Sequence, residues 1–431
     1  MSPSRPSVLL IAELANPDWV SLPLVGWGHS RALHDRVRVH LVTAARNREG
    51  IEKQRVPGLD VTFVENRVGQ TLVRTLDRLT RRDRALDWTM FTAFQVPEYI
   101  LFEREVWRRF GDRLRAREFD VVHRLTPMSP VIPSYLAHKL ARIGVPFVVG
   151  PVNGGLPWPK ELAGRRVQQK DRLSPVRDAA KLMPYRRSTW RDASAILVAA
   201  GHTLKDIPPA HRHKCFWLPE VGIFPERITA SREGPVQLPL RVAFVGRLIP
   251  LKAVDLLVRA AAPLIRAGDV VVEVMGDGPA RDDVERASRE EGVEAGVVMH
   301  GWVSHHELAD KLSRCDVLGF PSLRELGGGA VVEAMAMGLV PIVLRYGGPG
   351  EVVLDAFGFR VPIGSEATVV GGIRRALEAL VADPGSLIER RTRARQWALG
   401  HFTWQAKSAK TADVYDWVLG RAPRPVMPFP D

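Results

Sequence analysis

The sequence has little cysteine and no long hydrophobic run. Its two cysteines, Cys215 and Cys315, cannot form a disulfide framework, and neither has a second ligand at the spacing of a metal site. The longest apolar stretches, at residues 195–200 and 339–344, fall far short of the roughly 20 residues that cross a bilayer. Near the N-terminus only residues 8–12 are strongly apolar, which is too short for a secretory signal. These absences predict a cytoplasmic protein that is either free or peripheral on the inner membrane face.

Low-complexity tracts are also absent, which excludes global disorder. The composition is that of a globular protein, with 45% hydrophobic and 25% charged residues. A chain of 431 residues exceeds the length at which a single hydrophobic core stops growing, so two domains are expected.

The excess of basic over acidic residues is confined to one half of the chain. Residues 1–232 carry 38 Lys and Arg against 23 Asp and Glu, whereas residues 233–431 carry 23 against 25. The net charge of +13 therefore arises in the first half, which indicates an anionic partner or an anionic membrane surface there. The alternative is a compositional bias, because 50 of the 61 basic residues are arginine.

Short apolar segments alternate with amphipathic ones, which is typical of an α/β protein with parallel sheets covered on both faces. A proline-rich stretch at residues 221–239 interrupts the alternation and indicates a linker. The predicted domains are therefore residues 1–220 and 240–403, followed by a final helix at 404–419. The predicted strands are residues 7–13, 37–43, 61–64, 121–123, 146–150, 195–199 and 214–218, then 241–246, 270–275, 297–301, 317–321 and 340–344.

The second half carries six short motifs in a fixed order. They occupy residues 244–252 (FVGRLIPLK), 275–279 (MGDGP), 300–303 (HGWV), 316–322 (DVLGFPS), 325–338 (ELGGGAVVEAMAMG) and 347–351 (GGPGE). This series resembles the retaining glycosyltransferases of family four, strongly over residues 240–360 and loosely in the N-terminal half.

The resemblance implies the GT-B architecture, in which two Rossmann-like domains with parallel sheets face each other. The first domain would lie on the acceptor side, the second would bind a nucleotide sugar, and the final helix would pack back on the first domain. The implied activity is transfer of a hexosyl group from a nucleotide-diphosphate sugar to a hydroxyl, with retention of the anomeric configuration. The acceptor would be a glycan, a lipid-linked molecule or a small molecule, as in polysaccharide biosynthesis.

Two cations lie just past a predicted strand end, where ligands bind in open α/β sheets. Arg247 and Lys252 are five residues apart and straddle the turn into the next helix. Such a pair can hold a diphosphate together with helix N-terminal amides. The alternative is a solvated Arg and Lys on an ordinary loop, which the surrounding motifs make the weaker interpretation.

Two carboxylates, Glu325 and Glu333, flank a run of three glycines that opens a predicted helix. Carboxylates there can accept hydrogen bonds from neutral hydroxyls, and glycines let the backbone approach a ligand closely. The resemblance implies that Glu325 binds the donor sugar and that Glu333 binds the ribose. The backbone that would complete this pocket is Gly328, Gly329, Ala330 and Val331. The alternative for Glu333 is a carboxylate that only stabilises the helix N-terminus.

Three further sites follow predicted strands. By resemblance, Gly276, Gly278 and Pro279 line the nucleotide pocket, as does the His-Gly pair at residues 300–301; the alternative is turn chemistry alone. In the first domain, Asn153 and Gly154 lie in a loop after a strand and are expected to approach the ligand, unless that loop is only a tight turn.

His123 ends a predicted strand at an edge that would face the cleft between the domains. The resemblance implies a place near the donor sugar, whereas an isolated histidine is more often structural. The predicted catalytic residues are thus Glu325, Arg247, Lys252 and His123.

Two departures from the family pattern stand out. Ala253 follows Lys252 where the family has Lys-Gly, and the N-terminal Gly-Gly loop has only Gly26 and Gly28 as counterparts.

The chain has neither an Asp-x-Asp triplet nor a G-x-x-x-x-G-K-[ST] loop. Without the triplet, which holds the cation in metal-dependent sugar transferases, we expect metal-independent catalysis and no cofactor beside the donor substrate.

A GT-B phosphorylase or a nucleotide-sugar epimerase is the alternative enzyme. A basic nucleic-acid-binding or membrane-binding protein is the alternative of another class, although no nucleic-acid-binding motif is present, so no nucleic-acid partner is expected.

Two amphipathic segments bear on the membrane alternative. Residues 70–88 and 99–117 each combine regularly spaced apolar residues with many arginines. Basic amphipathic helices bind anionic membrane surfaces, but the same pattern describes a helix that faces a core with a solvated rim.

Overall fold

The computed structural model describes residues 5–65, 88–162, 164–165 and 183–430, and it describes no side chains at residues 88–95 and 305–306. The chain forms two compact units. Unit 1 comprises Met1–Gly155, Lys170–Gly222 and Trp404–Phe429, and unit 2 comprises Leu156–Gln169, Ile223–Thr403 and Pro430–Asp431. After Gly155 the chain thus passes from unit 1 into unit 2 for the first time. The sequence did not indicate this early crossing, because the first domain was predicted to run to residue 220.

Unit 1 is built on a seven-stranded parallel sheet with the order β3-β2-β1-β4-β5-β6-β7. Its strands are β1 (Ser7–Ala12), β2 (Arg38–Ala44), β3 (Asp60–Val64), β4 (Val121–Thr126), β5 (Phe147–Val152), β6 (Ala195–Val198) and β7 (Cys215–Trp217). Its described helices are α1 (Leu22–His34), α2 (Arg48–Lys53), α3 (Trp88–Arg115), α4 (Ala137–Arg142), α5 (Arg186–Asp192), α6 (Gly201–Leu204) and, after unit 2, α14 (Trp404–Val418).

The strands of unit 1 are continuous hydrophobic runs because both faces of the sheet are covered. Every residue of β4, β5 and β6 is buried. Alternate side chains point to opposite faces, so Leu9 and Ile11 enter one core cluster while Val8 and Leu10 enter the other. This two-sided burial is the pattern expected of a parallel sheet.

The amphipathic segment at residues 99–117 lies largely in α3, and its apolar face belongs to the core of unit 1. The apolar side chains that define this face are all buried there: Tyr99, Phe102, Val106, Phe110 and Leu114. The arginines form the solvated rim, where Arg108 and Arg109 bind Glu105. The interpretation of this segment as a membrane-binding helix is therefore wrong, because its apolar face is not available to lipid. The segment at 70–88 lies outside the described residues apart from the backbone of Trp88.

Unit 2 is built on a six-stranded parallel sheet with the order β10-β9-β8-β11-β12-β13. Its strands are β8 (Leu240–Val245), β9 (Val270–Met275), β10 (Val297–Gly301), β11 (Val317–Phe320), β12 (Val340–Leu344) and β13 (Phe359–Val361). Its helices are α7 (Val254–Arg266), α8 (Arg281–Glu290), α9 (His305–Leu312), α10 (Gly329–Ala336), α11 (Gly347–Val352), α12 (Glu366–Ala382) and α13 (Ser386–Phe402).

The predicted fold class is confirmed, because each unit is a Rossmann-like parallel sheet with helical connections. All twelve predicted strands are present, with ends shifted by a few residues. A further strand, β13, was not predicted, because it is only three residues long and has an arginine at its centre. Among the described helices, none combines the length and apolarity that crossing a bilayer requires.

Candidate functional site

The motif residues of unit 2 lie at one edge of its sheet. The strands are parallel, so their carboxyl ends share that edge, and the connections that follow β8, β9, β11 and β12 all begin there. Arg247 follows β8 and is exposed, and Glu325 follows β11 and is half-buried. The sequence motifs are thus the loops of a single edge.

Lys252 and Glu325 form an ion pair across 73 residues of sequence, between Nζ and Oε2. The Lys252 ammonium also lies 4.7 Å from the centre of the Phe320 ring, the last residue of β11. The side chains of Lys252 and Glu325 are 15% and 23% exposed, so a ligand can reach both. A partly desolvated cation held by a carboxylate can exchange that carboxylate for a phosphate oxygen. The structure therefore brings together two of the predicted catalytic residues.

The loop that carries Glu325 is fixed by glycines of the next connection. A Cβ atom on Gly347 would lie 2.3 Å from the Glu325 carbonyl oxygen, and one on Gly348 would lie 2.2 Å from that of Leu326. The amide of Gly348 also donates to the Glu325 carbonyl at 3.1 Å. Because only glycine permits this approach, the two loops hold the Glu325 carboxylate at a defined place.

The next residues open α10. Gly328 precedes the helix with a φ of 75°, and Glu333 is half-buried on the helix. Gly329 and Ala330 are half-buried in its first turn, whereas Val331 is fully buried. The amide of Val331 donates to the Gly328 carbonyl at 2.9 Å, so this residue presents no free group to a ligand in the structure.

Gly276 and Gly278 pack against the loop that carries Arg247. A Cβ atom on Gly276 would lie 1.8 Å from the carbonyl oxygen of Gly246, and one on Gly278 would lie 2.3 Å from that of Leu248. The amide of Leu248 donates to the Asp277 carbonyl at 2.9 Å. These glycines therefore have a packing role that places the Arg247 loop. Pro279, in the same turn, is exposed.

We expect Gly276→Ala to lower the free energy of unfolding by at least about 2 kcal/mol, because the new methyl group would overlap the backbone of Gly246. Urea denaturation measures the loss. Gly268→Ala is the matched control, because Gly268 also has a positive φ, of 80°, but has no atom within 4 Å of an added Cβ. Equal losses in the two variants would show that backbone strain alone requires glycine at position 276.

The His-Gly-Trp segment at the end of β10 places its two ring side chains in different surroundings. Nε2 of His300 lies 2.5 Å from Oε2 of the buried Glu273, and its Nδ1 lies 3.2 Å from Nζ of Lys311. The next side chain but one, Trp302, is 81% exposed at the carboxyl edge of the sheet. Both ring nitrogens of His300 are thus bound by residues of unit 2, whereas the ring of Trp302 faces solvent. Trp302 belongs to the same sequence motif, but no role was predicted for it.

His123, in unit 1, is fully buried at β4. Its Nε2 lies 2.6 Å from the Gly150 carbonyl oxygen, and its Nδ1 lies 2.6 Å from the Tyr415 hydroxyl of α14. A carbonyl oxygen only accepts, so Nε2 carries the proton and Nδ1 accepts from Tyr415. Burial lowers the pKa of His123 to about 4. The ring is therefore neutral at pH 7 and both of its nitrogens are occupied within unit 1, which favours the structural alternative for this residue.

The predicted glycine counterparts in unit 1 lie in a helix and not in a loop. Gly26 and Gly28 are buried within α1, and a Cβ atom on Gly26 would lie 2.1 Å from the Leu14 carbonyl oxygen. Glycine at position 26 thus permits close packing of helix on loop. The two residues therefore differ in structure from the glycine loop of the family pattern, and their role in donor binding stays a prediction.

Asn153 and Gly154 follow β5 in irregular backbone that is hydrogen-bonded within unit 1. The Gly154 amide donates to Oδ1 of Asn153 at 2.9 Å, and Thr203 Oγ1 donates to the Gly154 carbonyl at 2.8 Å. Asn153 is 6% exposed and its Nδ2 has no partner among the described residues. These contacts within unit 1 account for both residues, apart from the unpaired amide nitrogen, and their approach to a ligand stays a prediction.

Ala253 shows why the family pattern has glycine after the lysine. It caps α7 in the left-handed region, with φ 49° and ψ 40°, where a Cβ atom is strained. The turn after Lys252 is thus the same one that glycine would form.

Within the described part of the chain, no three His, Cys, Asp or Glu side chains are close enough to hold a metal ion together.

Comparison with known proteins assigns these motifs. Residues 231–394 match the family model of glycosyl transferases group 1. A GDP-mannose-dependent alpha-(1-6)-phosphatidylinositol monomannoside mannosyltransferase of Mycolicibacterium smegmatis is 31% identical over 187 residues, which are 40% of this chain and 47% of that protein. A 2-deoxystreptamine glucosyltransferase of Streptomyces kanamyceticus is 31% identical over 210 residues, or 48% of this chain and 49% of that protein. The chain thus spans about half the length of the curated relatives it matches.

Solved structures extend the likeness in fold to nearly the whole chain. HepE of Anabaena, crystallised in complex with UDP, matches with a TM-score of 0.60 at 15% identity, over 95% of this chain and 100% of that chain. Sucrose-phosphate synthase of Thermosynechococcus elongatus matches with a TM-score of 0.59 at 15% identity, over 97% of this chain and 100% of that chain. Residues 231–394, which carry the motifs, are thus similar to the glycosyl transferases group 1 family, within a chain that has the GT-B fold.

Proposed function

We propose that this protein transfers a sugar from a nucleotide-diphosphate sugar to an acceptor hydroxyl, with retention of configuration and without a metal ion. The Lys252–Glu325 ion pair carries the proposal, because it places a cation for the diphosphate beside a carboxylate for the sugar. Both residues lie at the sheet edge that the family motifs build, and the exposed Arg247 follows β8 at the same edge.

In the proposed reaction Arg247 and Lys252 bind the diphosphate of the donor. Negative charge grows on the diphosphate as the glycosidic bond breaks, so both cations bind the transition state more strongly than the ground state. A nucleoside diphosphate leaves as a stable anion and needs no carboxylic acid to protonate it. Glu325 accepts hydrogen bonds from the sugar hydroxyls and orients the anomeric carbon toward the acceptor. The acceptor oxygen then bonds to that carbon from the face that the diphosphate leaves, and the hydroxyl proton passes to the departing diphosphate.

The nucleoside binds further along the same edge. Glu333 accepts a hydrogen bond from the ribose, close to the start of α10. Trp302, whose ring is exposed after β10, offers an apolar face on which a base can stack. Gly276 and Gly278 act indirectly, because they set the position of the Arg247 loop.

The donor and acceptor classes are drawn from the relatives. One relative is named for GDP-mannose and a phosphatidylinositol mannoside, another for glucosyl transfer to 2-deoxystreptamine, and the Anabaena structure contains UDP. We propose a hexosyl donor of this kind and a hydroxylated acceptor that is a glycan, a lipid-linked molecule or a small molecule. We also propose that the protein is cytoplasmic and attaches peripherally to an anionic membrane. The remaining support for this location is the basic charge of the N-terminal half.

A ligand screen followed by a transfer assay tests the function. UDP, GDP, ADP and TDP at equal concentration should separate by their effect on Tm, since a nucleotide at a hundredfold excess over Kd stabilises the folded state by about 2.7 kcal/mol. The matching hexosyl donors are then incubated with acceptors, and the anomeric configuration of the product is read by NMR. Turnover that requires inorganic phosphate would indicate a phosphorylase, and a changed donor sugar without acceptor would indicate an epimerase.

We expect transfer to persist after removal of divalent cations, because Lys252 and Arg247 supply the positive charge that a metal ion would otherwise bring to the diphosphate. The assay is repeated in excess EDTA, with a sample to which Mg²⁺ or Mn²⁺ is restored as the control. Activity that disappears with EDTA and returns with the metal would contradict the metal-free mechanism.

A further inference from the structure

Residues 156–165, of which 163 is not described, form a segment of unit 2 that we call the arm. Its first residues are bound next to Glu325, where Arg324 Nε donates to the Leu156 carbonyl at 2.9 Å. The Tyr346 hydroxyl donates to the Pro157 carbonyl at 2.7 Å, and Leu156 is buried against Gly347. The arm is therefore fixed to the two loops that hold the Glu325 carboxylate.

The other end of the arm is bound at the start of α7, the helix that follows Lys252. The Arg165 guanidinium donates to both oxygens of Asp255, at 2.9 and 2.6 Å, and it also binds Glu366. Asp255 lies in the first turn of α7, three residues after Lys252, and Glu366 lies in the first turn of α12. The side chains of Arg165 and Asp255 are only 13% and 16% exposed, so water screens this ion pair less than a surface pair.

The balance of charge at this place is unfavourable for an anion. Three carboxylates, of Asp255, Glu325 and Glu366, are bound to two cations, Lys252 and Arg165. Without Arg165, the Asp255 and Glu366 carboxylates would lose the cation that binds them. An incoming diphosphate carries at least two negative charges, and a partly buried, uncompensated Asp255 three residues after Lys252 would repel it.

We propose that Arg165 is a positioning residue for donor binding: it neutralises Asp255, so that Lys252 and the start of α7 remain attractive to the diphosphate of the donor. This inference rests on the proposed function and adds to it a residue from outside the family motifs. Arg165 does not touch the ligand in this role. It acts through the charge of Asp255, and the arm delivers it there.

Charge rescue in the full-length protein tests the proposal. Binding of inorganic pyrophosphate, UDP and GDP is measured by calorimetry for the wild type, Arg165→Ala, Asp255→Asn and the double variant. We expect Arg165→Ala to weaken binding of the diphosphate probes about tenfold at low salt, and less at high salt. The double variant has two carboxylates against one cation, the same net charge as the wild type, so its affinity should return to within about threefold. Asp255→Asn alone should bind at least as tightly as the wild type.

The rescue separates charge from structure, because removing the Asp255 carboxylate cannot restore a lost tether. A double variant that binds as weakly as Arg165→Ala, or an Arg165→Ala protein that binds normally, would overturn the proposal. Arg259→Ala is the matched control, since Arg259 also lies on α7 and forms an ion pair, with Glu290, and it should bind normally. Lys252→Ala distinguishes the two levels of inference: if it binds all probes like the wild type, the proposed diphosphate site fails as well.

Discussion

Replacing Lys252 with alanine should lower kcat/KM for the nucleotide sugar about a hundredfold to a thousandfold, since Lys252 is proposed to stabilise charge that develops in the transition state. Affinity for the free nucleoside diphosphate should fall as well, by a smaller factor, because the ground state carries part of that charge. Calorimetry with the nucleotide and steady-state kinetics with the full donor give the two numbers. Lys205→Ala, at an exposed lysine of unit 1, is the control and should change neither.

Glu325→Gln should separate the two measurements. The Glu325 carboxylate binds Lys252 in the structure, so it competes with a phosphate for the same ammonium group. Without that competition the affinity for the free nucleoside diphosphate should rise about threefold to tenfold, the equivalent of an ion pair worth about 1 kcal/mol. Transfer should nevertheless fall, because the sugar loses its acceptor of hydrogen bonds. A parallel loss of nucleotide affinity and turnover in Glu325→Gln would place this carboxylate at the nucleotide and not at the sugar.

Acidification from pH 7 to pH 4 should cost unit 1 about 3 kcal/mol of stability through His123 alone. The pKa of the buried ring is about 4, against about 6.5 in an unfolded chain. The unfolded state therefore binds a proton that the folded state refuses, so the contribution is complete above pH 6.5 and is lost as the pH falls to 4. Urea denaturation at pH 7, 6, 5 and 4.5, followed by tryptophan fluorescence, measures the slope.

The variant His123→Gln should be less stable at pH 7, since the Tyr415 hydroxyl and the Gly150 carbonyl lose a matched partner. Its stability should also depend less on pH between 4 and 6.5. His213→Gln, which replaces an exposed histidine of unit 1, should keep the wild-type slope. An unchanged slope in His123→Gln would show that this ring does not titrate between the folded and unfolded states. His29, which is also buried, has a lowered pKa for the same reason, so some slope of the same sign remains.

Local pattern was sufficient to predict most of the fold. A buried parallel strand is a short run of Val, Ile and Leu, so strands such as β9 and β12 could be placed from the sequence to the residue. The loops at their carboxyl ends carry the motif residues, because topology alone sends all of these loops to one edge. The sequence was therefore informative about which residues of unit 2 could form a site, from Arg247 to Glu333.

The sequence was misleading where a residue could serve either packing or chemistry. His123 stands at a strand end, as a ligand-binding residue would, yet Tyr415 of α14 occupies its free nitrogen from 292 positions away. Gly26 and Gly276 are glycines because a Cβ atom at either position would overlap a neighbouring carbonyl oxygen. Burial and long-range partners decide such cases, and neither is visible in a local window.

The sequence by itself determined the α/β class, the similarity of residues 231–394 to a glycosyltransferase family and the pair of cations in the turn before α7. The tertiary structure decided that Lys252 is held by Glu325 and that the apolar face of α3 is core. It also decided that Arg165, in a segment without a motif, neutralises Asp255. The physical reason is that secondary structure follows from local periodicity, whereas the charge and accessibility of a site depend on which distant groups fold against it, 73 residues away for Lys252 and 90 for Arg165.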